Sequence, residues 1–143
     1  LICAAFPEAR IVHVQRSAAA TCWSNYKKYF SVEGLGYCYD LKDVVSYYTL
    51  YSDLMKLWEA KYSDRIYNLD YEKLTTNQES ETRKLINHLG LDWEKECLSP
   101  HKNKRIVRTA SQQQVRQRVY QGSSEAWRKY EPYLNGAFDS LLS

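Results

Sequence analysis

Apolar and polar positions along the chain follow two periods. Residues 10–15, Arg-Ile-Val-His-Val-Gln, form a short β-branched run behind the Pro7 turn. Its near-continuous apolar character predicts a buried strand of a parallel sheet covered on both faces. Residues 18–30 then carry aromatics at helical spacing and predict a helix, which Glu33-Gly34-Leu35-Gly36 breaks. Asp40 stands where it would cap a long amphipathic helix over 42–62, whose Val44, Tyr48, Tyr51, Met55 and Trp58 recur every three to four residues. A second short strand is predicted over 65–69. It is followed by a helix over 77–88 with Leu85, Ile86 and Leu89 inward and Gly90 closing it. Asp92 is expected to begin a short helical turn, and the basic stretch 99–108 to be a loop. Thr109 or Ser111 is placed to cap a short segment through Val115, and 123–142 to be a helix with Trp127, Tyr130, Tyr133 and Leu134 as its apolar members. Strands alternating with long helices predict an α/β layered fold, helix-rich and with only part of a parallel sheet present.

At 143 residues, one domain over 1–143 is the expectation, and the length is enough to bury a core. Apolar residues at 44% and charged residues at 26% exclude wholesale disorder. No run approaches the roughly 20 apolar residues of a membrane span. The net charge of +3 is too mild to argue for nucleic acid or a membrane surface. Cys3, Cys22, Cys38 and Cys97 form no CxxC pair and no zinc spacing, and each lies among apolar or aromatic neighbours. Reduced thiols, and with them a cytoplasmic location, are expected. The opening Leu1-Ile2-Cys3-Ala4-Ala5-Phe6-Pro7 lacks the basic stretch of a secretory signal. It is expected to enter a fold partway through.

The feature with most chemical content is a strand ending in Arg16, followed by a helix bearing Ser24 eight residues on. In doubly wound α/β folds the carboxyl ends of strands and the starts of the following helices are where anions sit. A guanidinium there offers a planar, permanently charged fork to phosphate oxygens. On spacing alone, Arg16 equally serves to finish the strand and Ser24 to bond back to its own helix. His13 alternates inside an apolar strand and is expected to be a satisfied core histidine. His88 and His101 have no carboxylate close in sequence to orient them, and no catalytic base is assigned.

Residues 7–17, Pro-Glu-Ala-Arg-Ile-Val-His-Val-Gln-Arg-Ser, continuing through Cys22-Trp23-Ser24-Asn25-Tyr26, resemble the 3′-phosphate-binding strand and helix of PAPS-dependent sulfotransferases. Tyr67-Asn68-Leu69-Asp70-Tyr71-Glu72-Lys73-Leu74, with the helix after it, is similar to that family's strand-Tyr-Glu-x-Leu segment. Arg108-Thr109-Ala110-Ser111, Gln114-Val115-Arg116-Gln117 and Trp127-Arg128-Lys129-Tyr130-Glu131 resemble the C-terminal signature of bacterial sulfotransferases and the related tyrosylprotein enzymes. The three segments occur in order over residues 7–134. The resemblance implies a P-loop-like layered fold of the sulfotransferase type. It also implies that Arg16 and Ser24 bind the 3′-phosphate of PAPS or PAP, with Lys28 adding charge one turn on. By the same resemblance Tyr71 stacks on or hydrogen-bonds the adenine, and Ser111, Gln114 and Arg116 belong to a loop closing over the nucleotide.

The family's 5′-phosphosulfate loop, Gly/Ser/Thr-rich with a basic residue, has no counterpart here, since Gly34 and Gly36 lie between helices. The chain is therefore expected to be the C-terminal part of a longer sulfotransferase domain, with that loop upstream, and to be inactive or nearly so as this fragment. The acceptor, a hydroxyl or amine, is not legible, and a homo-oligomer is one way to cover the edge of an incomplete sheet. Two other readings stand beside this one: a non-catalytic helical interaction module, and a nucleotide-kinase relative of the same ancestral fold.

Overall fold

The structure, a computed structural model, describes residues 2–31, 33–103, 105–106 and 114–142, with Gln114 described in its backbone only. In chain order its elements are α1 (Ile2–Ala5), β1 (Ile11–Gln15), α2 (Ala18–Tyr26), α3 (Leu41–Lys61), β2 (Ile66–Asp70), α4 (Tyr71–Thr76) and α5 (Gln78–Leu89). Short 3₁₀ turns at Gly36–Tyr39, Lys95–Leu98, Pro100–Lys102 and Gln114–Arg116 connect them, and a C-terminal 3₁₀ segment covers Ser123–Tyr133 and Asp139–Leu141. The chain forms a helix-rich α/β arrangement with a two-stranded parallel sheet. It divides into two compact units, Leu1–Gln15 with Tyr67–Gln121, and Arg16–Ile66 with Gly122–Ser143.

In the first unit β1 pairs with β2, as the two strand runs predict, but β1 is not the buried strand expected from its apolar run. Ile11, Val12 and His13 are half-buried and Val14 is exposed, because a two-stranded sheet leaves one side of β1 uncovered. Across the pair, His13 Nδ1 and Asn68 Oδ1 lie 2.8 Å apart, which gives the strand histidine a partner. Helix α5 starts with Glu79 and Glu81 against the positive end of its dipole. It stops at Gly90, left-handed at φ +70°, where Leu91 N–H reaches Ile86 O at 3.1 Å in a Schellman closure. Only a residue without a Cβ enters that region at no steric cost. Arg10 extends its guanidinium to the His88 carbonyl, which ties the entry of β1 to the end of α5.

The second unit holds the core. Ala19, Ala20 and Cys22 of α2 pack with Val44 of α3 and with Trp127, Leu134 and Phe138 of the C-terminal segment. Asp40 caps α3 as predicted, its carboxylate accepting from the Lys42 N–H at 2.7 Å and the Asp43 N–H at 3.1 Å. Val44 is buried, and Tyr48, Tyr51, Met55 and Trp58 form the half-buried stripe read from the sequence.

Three further expectations are corrected. Helix α2 ends at Tyr26 rather than running to residue 30. The Tyr39 hydroxyl donates to Phe30 O at 2.7 Å and accepts from Phe30 N–H at 3.1 Å, so both backbone groups that a longer helix would use are taken. Asp92 starts no helical turn, and the turn begins at Lys95. The C-terminal segment is not one α-helix. Pro132 removes a donor inside it, and Asn135 and Gly136 are both left-handed, at φ +49° and +72°. Within it Trp127 and Leu134 are buried, while Tyr130 and Tyr133 remain exposed. Within the loop predicted over 99–108 the described residues include the turn Pro100–Lys102, and Thr109 and Ser111 lie outside the described residues.

Candidate functional site

Residues singled out by sequence fall into two groups, one in each unit. In the second unit, Arg16 is the first residue after β1, and α2 opens two residues later behind Ser17. The Arg16 side chain is half-buried. Its Nε donates to Ser124 Oγ at 3.0 Å, and its Nη2 donates to the Ser123 carbonyl at 2.8 Å and to Ser123 Oγ at 3.3 Å. The guanidinium plane is thus fixed by the polar start of the C-terminal segment, and Ser124 itself is buried. Ser24 sits half-buried in the second turn of α2, beyond the buried Cys22. Lys28 is exposed and lies past the end of α2, its N–H donating to Asn25 O at 3.1 Å. It is therefore on a turn rather than one helical turn along from Ser24.

Ser123 and Ser124 were not singled out from the sequence. The signal is present in Gly122-Ser123-Ser124 ahead of an amphipathic stretch, a helix-start pattern, but nothing local says that an arginine 107 and 108 residues away will use it. A cleft of about 420 Å³ opens in the same unit between Trp23, Lys27, Ala126, Lys129 and Tyr130, where the Trp23 and Tyr130 rings stand 4.6 Å apart. Two lysines and two aromatic rings give it a cationic, π-rich lining.

In the first unit Tyr71 is the opening residue of α4, directly after β2, and is half-buried. Its position is set by Asp70, which caps α4 by accepting from the Lys73 N–H at 2.8 Å and pairs with Lys73 Nζ at 3.2 Å. The Lys73 amide is the main reason the Asp70 carboxyl is held below the usual carboxylate range. Arg116 is exposed, and its guanidinium is engaged by the backbone: it donates to the Asn103 carbonyl and, at 2.7 Å, to the Arg105 carbonyl. It staples the basic loop that the sequence places before it. Gln114 lies in the same short turn, and Ser111 is outside the described residues. A cleft of about 300 Å³ lies among Gln78, Leu98, Ser99, His101, Lys102, Arg118 and Val119.

The His88 ring lies tilted by 34° against Tyr67, with ring centroids 4.9 Å apart. Among the described residues no group of three His, Cys, Asp or Glu side chains could hold a metal ion, and no helix is long and apolar enough to cross a membrane.

A strand ending in a fixed arginine, followed at once by a helix, is the arrangement that the comparisons with known proteins bear on. The sulfotransferase family model matches residues 1–95, and the chain belongs to that family. The match carries Arg16, Ser24, Lys28 and Tyr71; Ser111, Gln114 and Arg116 lie beyond it. An uncharacterised protein of Aquifex aeolicus (strain VF5) is 35% identical over 143 residues, which is 99% of this chain and 19% of that protein. The chain therefore spans about a fifth of the length of the relative it matches.

Proposed function

We propose that this chain provides the 3′-phosphate and adenine half of a PAPS site in a sulfotransferase that moves a sulfuryl group to a hydroxyl or amine acceptor. The observation that carries the reading is the Arg16 guanidinium, fixed at the carboxyl end of β1 and directly before the amino terminus of α2. The donor set fits a divalent anion. A guanidinium has five N–H donors in one plane, and three bonds to the Ser123-Ser124 pair hold that plane in place before any ligand arrives. The dipole of α2 favours negative charge at the same end, and the Ser24 hydroxyl adds a neutral donor. Lys28 contributes mobile positive charge from the turn after α2. Tyr71 offers a flat aromatic face for the adenine, positioned by the Asp70 cap. Ser111, Gln114 and Arg116 would close over the nucleotide, and the P-loop-like layering of the family is the setting for all of these roles.

When bound, PAPS supplies the activated sulfuryl group. The part of this chain is to grip and orient the nucleotide, and the gain comes from positioning and charge complementarity. A reducing compartment, expected from a cysteine pattern without CxxC pairs, belongs to this reading.

Calorimetric titration of PAP into the chain, with 5′-AMP as control and Arg16→Ala and Arg16→Lys alongside, tests the reading. PAP is expected to bind at least ~10-fold more tightly than 5′-AMP, since charged hydrogen bonds contribute about 1.5–3 kcal/mol. Arg16→Ala should abolish the preference, and Arg16→Lys should recover only part of it because a point charge cannot make the fork. Equal affinity for the two nucleotides, or no binding by a chain shown to be folded, would reject it.

A further inference from the structure

Helix α3 carries two apolar stripes. One is the half-buried stripe through Val44, Tyr48 and Met55. The other runs through Tyr47, Leu50, Leu54 and Leu57, which are 51%, 68%, 49% and 58% exposed. At about 100° per residue these four lie within a sector roughly 80° wide, and their spacing of three, four and three residues is that of a coiled-coil seam. The Tyr47 ring is already held flat by stacking on Tyr37, with centroids 3.9 Å apart and planes 11° apart. Asp43 and Lys61, both exposed, continue the same sector at its two ends. The six positions are mirrored about Ser52, at nine, five and two residues on either side.

We infer that this second stripe is the interface of a two-fold homodimer in which α3 packs antiparallel on α3 of a second copy. A two-fold interface requires that if residue i meets j, then j meets i. The mirror order supplies this: Asp43 faces Lys61, Tyr47 faces Leu57, and Leu50 faces Leu54, each twice. A different partner would place no such demand on the sequence. Charge fixes the direction as well. Antiparallel pairing puts an ion pair at each end of a seam about 27 Å long, whereas parallel pairing would set Asp43 on Asp43 and Lys61 on Lys61. Exposed leucines covered by their own mirror image also remove an apolar patch from water, the usual driving force for association.

Sedimentation velocity of the 143-residue chain, from low micromolar to several hundred micromolar, decides the question. The expected result is a reversible monomer–dimer equilibrium, with Leu54→Asp raising the dissociation constant by at least ~10-fold while circular dichroism stays unchanged. If Leu54→Asp costs helix, the charge variants carry the decision. Asp43→Lys and Lys61→Asp should each weaken the dimer, and the double variant should restore it. Both changes oppose the helix dipole, so recovery in the double variant cannot come from a more stable helix. A chain that stays monomeric throughout overturns the inference, as does a dimer indifferent to Leu54→Asp in a variant that keeps its helix. A double variant weaker than both singles overturns the antiparallel register.

Discussion

The Nε of Arg16 donates to the Ser124 hydroxyl at 3.0 Å, joining the exit of β1 to the start of the C-terminal segment across 108 residues of sequence. One side chain thus has two duties in the proposed site, to hold the second unit together and to face an anion. The two are separable. Ser124→Ala removes one bond to the guanidinium and should lower stability by about 1–2 kcal/mol, while keeping the charge for ligand. Arg16→Ala removes both. Thermal unfolding with and without PAP measures each. PAP should raise the midpoint of the wild type and of Ser124→Ala but not of Arg16→Ala. A midpoint rise in Arg16→Ala equal to that of the wild type would remove Arg16 from the binding site.

Asp70 gives the first unit a pH signature. Its folded carboxyl titrates below its unfolded value of about 3.9, chiefly because the Lys73 amide donates to the ionised form. A depressed carboxylate contributes stability that is fully present above the unfolded value and is lost as pH falls through the folded one. The α4 cap should therefore weaken below about pH 4. Asp70→Asn keeps a capping oxygen and removes the charge, so it should flatten that acid limb and lose at pH 7 the part of the stability that the ionised form supplies. Asp70→Ala should cost about 0.5–2 kcal/mol at every pH above 4. Denaturant melts of the three proteins between pH 3 and 7 test this, and identical acid limbs in wild type and Asp70→Asn would count against it.

Elements whose cause is local were legible in the sequence. Asp40 ahead of a stripe at helical period gave α3 to within a residue at each end, and Gly90 after Leu89 marked the end of α5. What was not legible depends on partners distant in sequence. Past the end of α2 both backbone groups of Phe30 are taken by the Tyr39 hydroxyl, a partner that nothing in residues 24–30 encodes. The same holds at the site. Arg16 was recognisable from its place after a strand, but its Ser123-Ser124 anchor was not. The Arg116 guanidinium holds the Asn103 and Arg105 carbonyls, a partnership that no local pattern in the sequence announces.

The cysteines divide by burial. Cys22 is 1% exposed, its Sγ donates to Val44 O at 3.8 Å, and burial pushes its thiol up to about 12. At pH 8 its thiolate, the reactive form, is scarcely populated. Cys38 is equally buried, whereas Cys3 and Cys97 are half-exposed. Iodoacetamide on the native chain should therefore label Cys3 and Cys97 and leave Cys22 and Cys38 until the chain is unfolded. Peptide mapping by mass spectrometry reads the order. Early labelling of Cys22 would mean that α2 and α3 separate readily in the native state.

Phe138 is buried in the second unit, packed edge-on against the equally buried Trp127 with ring centroids 5.9 Å apart. It reaches the core only because Asn135 and Gly136 turn the chain back after Tyr133. Phe138→Ala leaves a cavity among Ala19, Cys22, Val44 and Trp127, and such truncations cost about 3–5 kcal/mol. Set against a typical domain stability of about 5–15 kcal/mol, that is a large share of the total. Phe138→Leu keeps most of the volume and should cost clearly less. Denaturant melts followed by tryptophan fluorescence report the change directly, because Trp127 is the ring in contact. A loss under about 1 kcal/mol for Phe138→Ala would mean that residues 123–142 dock as a loose flap. Arg16 would then have no rigid anchor, and the anion site built on it would fail with the core.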